Sequence, residues 1–135
     1  MVKRRLAVSD TELEVLKVLW EHGPYTVRDA VAVLREQGRT WAYNTVLTLL
    51  QRLETKGYVR ADKGSVAHIF HPAISREELL RQHLQELAEQ LCEGAPAPLV
   101  LALVEGQRFT SAEIEQFRQL LDRLEGNQGK GGRKS

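Results

Sequence analysis

The sequence predicts a mainly α-helical fold with one small β-hairpin, and three observations carry that prediction. Serine or threonine followed three positions later by glutamate stands at Ser9, Ser75 and Thr110, each just ahead of an apolar run. Behind these caps the apolar residues recur at i, i+3, i+4 spacing, the period of an amphipathic helix. Between residues 58 and 70 alone the pattern shortens to two short β-type runs around a glycine-bearing turn.

In chain order, Ser9-Asp10-Thr11-Glu12 is a capping box, and Leu13, Leu16, Leu19 and Trp20 follow on one helical face until Gly23-Pro24 stops it. Thr26 caps a second helix with Val27, Ala30, Val31 and Leu34 on one side, ending near Gly38. Arg39-Thr40-Trp41 connects to a third helix over about residues 42–56, where Val46, Leu49, Leu50 and Leu53 form the inner stripe and Gly57 ends it. Residues 58–61 and 66–70 read as strands, with Asp62-Lys63-Gly64-Ser65 as a tight turn in which Gly64 supplies positive φ. Three helices and a hairpin within about sixty-five residues is the order of a winged helix-turn-helix domain.

Ser75-Arg76-Glu77-Glu78 opens a long helix to about Cys92, and Gly94-Ala95-Pro96-Ala97-Pro98 breaks it. Residues 99–104 are almost wholly apolar and read as a short buried helix. Thr110-Ser111-Ala112-Glu113 caps a last helix carrying Ile114, Phe117, Leu121 and Leu124. The expected organisation is a winged helix-turn-helix DNA-binding domain over residues 1–73, a helical dimerisation domain over 74–125, and a flexible basic tail over 126–135.

Composition narrows the function. The 135 residues are 42% hydrophobic, enough for a packed core, and the net charge of +1 excludes a polycationic disordered binder. The balance conceals a polarity. Residues 1–71 carry 11 basic against 8 acidic side chains, and residues 72–125 carry 5 against 10, so only the front half suits a polyanion. One cysteine excludes a disulfide framework and a multi-cysteine zinc module. No apolar run approaches the ~18–20 residues of a membrane span, and the basic N-terminus leads into a polar cap without a signal core. A cytoplasmic protein that does not itself bind membranes is the expectation.

The third helix carries the functional signal. At 100° per residue, Asn44, Thr45, Thr48, Gln51, Arg52 and Thr55 fall opposite the apolar stripe. Asn and Gln bond adenine bidentately, Arg bonds guanine, and the Thr methyl meets that of thymine. A merely solvated face would be filled with Glu and Lys, the better helix formers. Arg60 and Lys63 flank the wing and suit phosphate or the minor groove, although each also fits an ordinary charged turn. Arg39 is a further phosphate candidate; Lys3, Arg4 and Arg5 at the terminus could add such contacts but read first as a mobile solvated end. The candidate DNA-binding set is Arg39, Asn44, Thr45, Thr48, Gln51, Arg52, Arg60 and Lys63, to which the resemblance described below adds Thr40 and Tyr43 at the start of the third helix.

One recognition helix reads too few base pairs for specificity, so two copies are needed. Leu80, Leu84, Leu87 and Leu91 form a stripe, and with Leu101, Phe117 and Leu121 they are the candidate dimerisation residues. Catalytic and metal sites are not expected, and no cofactor. His83 and Cys92, nine residues apart, are half a turn out of phase on one helix, and His68 and His71 point to opposite faces of a strand.

The segment VSDTELEVLKVLWEHGPYTVRDAVAVL, with RTWAYNTVLTLLQRLETKGYVRADKGSVAHIFHP after it, strongly resembles the penicillinase-repressor family of the BlaI, MecI and CopY type. The resemblance runs from Val8 to about Leu124 and is densest up to Pro72. It implies a homodimeric repressor whose winged domain binds an inverted-repeat double-stranded operator, with a membrane sensor protease as an indirect partner in some members. Three departures stand out. Ala42-Tyr43 replaces the Ser-Pro that usually opens the recognition helix, so Thr40 or Trp41 must open it. Ala102-Leu103 falls where the β-lactam-responsive members are cut at Asn–Phe. Cys92 stands alone where the copper-responsive members have paired cysteines, which excludes copper sensing of that kind. The alternative class is a winged-helix interaction or scaffold module without specific operator binding. A third is a small-molecule sensor with a pocket in the dimer core, little supported because the C-terminal stripe has few polar residues.

Overall fold

The computed structural model describes residues 7–64 and 66–131, with side chains described up to residue 128. The elements run α1 (Asp10–His22), α2 (Val27–Glu36), α3 (Tyr43–Lys56), β1 (Val59–Asp62), β2 (Ile69–Pro72), α4 (Arg76–Leu91), α5 (Pro96–Glu105) and α6 (Ser111–Gly131). Among the described residues the fold is thus mainly α with one two-stranded antiparallel hairpin. The chain divides into two compact units, Met1–Leu84 and Gln85–Ser135.

In the first unit the caps form as their residues dictate. The Glu12 amide donates to Ser9 Oγ and the Ser9 amide to Glu12 Oε1, and Thr26 and Asp29 make the same reciprocal pair at α2. Ser75 and Glu78 repeat it at α4. Each box satisfies two of the amides that a helix start leaves without partners. Val15, Leu16, Leu19, Ala30, Leu34, Val46, Leu50 and Leu53 close one core between α1, α2 and α3, continued by Tyr58, Val59, Phe70, Ile74 and Leu79. Trp20 packs at its edge and donates from Nε1 to the Ile74 carbonyl at 2.8 Å, fixing the chain where it leaves the hairpin.

The hairpin differs from the sequence expectation. Its register pairs Val59 with Pro72 and Ala61 with Phe70, so β2 starts at Ile69, not at residue 66, and a loop replaces the tight turn. Burial sets this register. Phe70 is in the core, and its N–H and C=O exchange bonds with Tyr25 at 2.9 and 3.2 Å, a third rung contributed by a single residue before α2. A one-residue slip would turn Phe70 to solvent. In the longer loop Gly64 is not in the left-handed region; its amide instead donates to Asp62 Oδ1 at 3.0 Å. Positive φ is used at Gly57 (φ 88°), which ends α3 and turns the chain into β1.

In the second unit, Thr110 and Glu113 form the capping box of α6. The segment expected to be buried does form a helix, α5, with proline at its first turn, but it buries none of its residues within the chain. Leu101 and Leu103 are 60% and 57% exposed. Helicity there follows from propensity and an unbroken ladder, whereas burial needs a second surface that one chain does not supply. Helix α6 runs to Gly131, beyond Gly126, where the sequence suggested that a flexible tail begins. Adding residues to an existing helix avoids the nucleation cost, which lets a glycine-rich end continue. Among the described residues no single helix is long and apolar enough to cross a membrane.

Candidate nucleic-acid interface

Helix α3 divides as the wheel requires. Val46, Leu49, Leu50 and Leu53 are buried, while Asn44, Thr45, Thr48, Gln51, Arg52 and Thr55 are all exposed. Tyr43, the first residue of the helix, is 48% exposed. Neither Thr40 nor Trp41 opens the helix. Ala42 is the N-cap, in extended conformation and without a side-chain hydrogen bond to the first turn. The amides of that turn therefore have no side-chain cap from Ala42. Trp41 instead packs against the core, and the Arg39 guanidinium lies over its ring at 5.8 Å from the centroid.

The candidate phosphate-binding cations are not equally available. Arg39 lies 3.7 Å from Glu14, and Lys63 lies 3.5 Å from Glu54 on α3, each pair in contact with solvent. These are weak, screened pairs that a phosphate can displace. The Lys63 pair also ties the wing to the C-terminal half of α3. Arg60 is exposed on β1, pointing away from the core that Val59 enters. Lys3, Arg4 and Arg5 lie outside the described residues. Between α2, α3 and the wing runs a hollow of about 510 Å³, lined by residues that include Thr26, Arg28, Tyr43, Gln51 and His68. The structure therefore gathers Tyr43 and Gln51 in one cleft, with Asn44, Thr45, Thr48 and Arg52 on the same exposed helix side.

One buried charge was missed at sequence level. Glu12, legible as a capping residue, is 1% exposed, and Lys56 Nζ donates to its Oε1 at 2.7 Å and to the Ala7 carbonyl at 2.8 Å. Burial pushes the Glu12 carboxyl up, but the Lys56 bond and charge, with the Ser9 amide and hydroxyl, outweigh it and hold the group below its ordinary value. The pair clamps the last turn of α3 to the first turn of α1, and so sets the axis of the candidate reading helix.

The sequence matches the penicillinase repressor family model over residues 8–123. The chain belongs to the penicillinase repressor family. It is 32% identical to the transcriptional regulator BlaI of Mycobacterium tuberculosis over 90% of this chain and 88% of that protein. The penicillinase repressor of Bacillus licheniformis is 26% identical over 90% of this chain and 94% of its own length. A solution structure of the DNA-binding domain of the repressor BlaI superposes with a TM-score of 0.49, at 31% identity, covering 57% of this chain and 93% of that one. As a member of the penicillinase repressor family the chain is a DNA-binding repressor of transcription, not an enzyme.

Proposed function

We propose that this penicillinase-repressor relative acts in the cytoplasm as a homodimer that reads an inverted-repeat operator, one half-site per protomer. The observation that carries the reading is the composition of the exposed side of α3, where Asn44, Thr45, Thr48, Gln51, Arg52 and Thr55 are all polar and only Arg52 is charged. Such a face is poor as a solvated helix surface and well matched to base edges in a major groove. Thr40, Tyr43, Asn44, Thr45, Thr48, Gln51 and Arg52 form the reading set in this proposal, with Arg39, Arg60 and Lys63 on the flanking phosphates.

The working division is residues 1–73 for DNA, 74–125 for dimerisation and 126–135 as a basic extension. Leu80, Leu84, Leu87, Leu91, Leu101, Phe117 and Leu121, all exposed in the single chain, are the surface for the second copy. Phe117 is partly engaged already, edge-on to Phe109 at 5.0 Å between centroids. A membrane sensor protease enters only as an indirect partner, because Ala102-Leu103 stands where the resemblance places the cleaved bond.

Selection of bound fragments from the source genome, at moderate salt with excess competitor DNA, tests the proposal. A two-fold symmetric motif is the expected result. Binding that is only unspecific and salt-sensitive would make the winged domain a scaffold instead. On the selected operator, Gln51→Ala is expected to lose roughly 1–3 kcal/mol of discrimination at one base position of each half-site. Unchanged preference would remove Gln51 from the reading face. Lys63→Ala is expected to weaken all sequences alike and to flatten the salt dependence by about one unit per protomer, as measured by titrations across a salt series.

A further inference from the structure

Helix α2 carries two arginines that the sequence pattern did not single out. Arg28 and Arg35 are seven residues apart, so both lie on one side of the helix, separated by roughly 10.5 Å along its axis. Both are exposed, and among the described residues neither has a salt bridge. Together with Val31, Ala32 and Tyr43 they line a hollow of about 450 Å³ on the outer side of α2. Arg28 and Tyr43 also line the larger cleft that contains Gln51 and the wing residue His68. Arg28 thus stands between the two hollows beside the start of α3. The neighbouring carboxylate does not neutralise it by pairing. Asp29 is turned to the start of α2, accepting from the Thr26 amide at 3.2 Å.

We propose that Arg28 and Arg35 form a second phosphate grip, holding the DNA backbone that passes α2 while α3 reads the bases. The proposal rests on the operator-binding reading above. Its content is a ligand class and a place: consecutive phosphodiesters of one strand, taken by the outer face of α2. Arginine presents a planar fork to phosphate oxygens, and Tyr43, which lines both hollows, carries a hydroxyl donor as well. These contacts set register and affinity and carry no base information.

The test uses the full chain on its selected operator. Arg28→Ala/Arg35→Ala is compared with the wild type and with Arg28→Lys/Arg35→Lys by titration across a salt series, with phosphate ethylation interference on the same DNA. The expected result is a salt slope shallower by about 1.8 per protomer. Base preference should stay the same, and interference at two backbone positions per half-site should disappear. The lysine variant is expected to keep the slope with reduced affinity. An alanine variant that retains the wild-type slope and interference pattern overturns the inference while leaving operator binding intact. A changed base preference at constant slope overturns it too, since the arginines would then read bases. A wild type that selects no motif removes the operator reading itself, a separate outcome.

Discussion

Replacing Leu87 by aspartate is expected to lower affinity for a two-half-site operator by roughly 10²–10⁴-fold, with the winged unit still folded. Between Leu87 and Leu124, eleven large apolar side chains of the described chain are exposed, among them Leu91 at 73% and Leu121 at 58%. Monomeric proteins rarely leave so much contiguous-in-sequence apolar surface in water. The residues recur on α4, α5 and α6, helices that start at capping boxes (α4 and α6) or at a proline (α5), so the segment is folded helix rather than extended linker. A second copy is the occupant that also answers the specificity problem. The second half-site then binds at the effective concentration set by the tether, and its loss removes that gain without touching a DNA contact. A buried aspartate has no partner on such an interface, so the dimer pays the desolvation of an isolated charge. Light scattering should report a monomer, and circular dichroism should retain the helical signal. Leu101→Asp on α5 repeats the test at an exposed position on another helix. A monomeric variant that keeps full operator affinity would refute the two-half-site argument, and a dimer that survives both substitutions would place the interface elsewhere.

How much of this was legible in the sequence follows from the range of the interactions involved. Caps and helical stripes are local: Ser9 with Glu12, or Val46 with Leu50, sit within one turn, and the chain alone specifies them. The exposed side of α3 was legible for the same reason, because the helix period fixes it once the inner stripe is found. Contacts across the fold were not. The Tyr25–Phe70 bridge joins single residues 45 positions apart and leaves no periodic trace, yet it fixes the hairpin register. Lys56 and Glu12 are 44 residues apart, and the capping role of Glu12 gave no sign of its burial. Nothing in the sequence pattern singled out Arg28, since its proximity to Tyr43 depends on how α2 and α3 meet. For α5 the composition specified a helix in need of cover but not where that cover comes from.

Breaking the Glu12–Lys56 pair from one side is expected to be the most damaging single change in the winged unit. Lys56→Met leaves the Glu12 carboxylate, 2% exposed at its side chain, without its cation. Removing one partner of a buried pair costs about 3–5 kcal/mol, which for a unit of this size corresponds to a fall in Tm of more than about 12 °C. Glu12→Met/Lys56→Met, which removes both charges, is expected to recover most of that loss because no charge remains to be desolvated. The pH dependence has a definite sign. Glu12 is held below its ordinary value of 4.5 in the folded state. Its contribution is therefore fully present above pH 4.5 and is lost as the pH falls from there through the lower folded value. Glu12→Gln is less stable at neutral pH but should not show this component of acid loss, so the wild-type and variant melting curves converge below pH 4.5. Melts at fixed protein concentration between pH 3 and 7 measure both effects, the concentration being held because dimerisation shifts Tm. Should Lys56→Met melt with the wild type at neutral pH, the clamp between α1 and α3 contributes nothing to stability. The consequence for function is geometric. Lys56 ends the helix whose outer side carries Gln51 and Arg52, so loosening it changes the angle at which those side chains are presented. At a temperature where Lys56→Met is still folded, base discrimination is then expected to fall more than overall affinity, because phosphate contacts tolerate a tilt that bidentate base contacts do not.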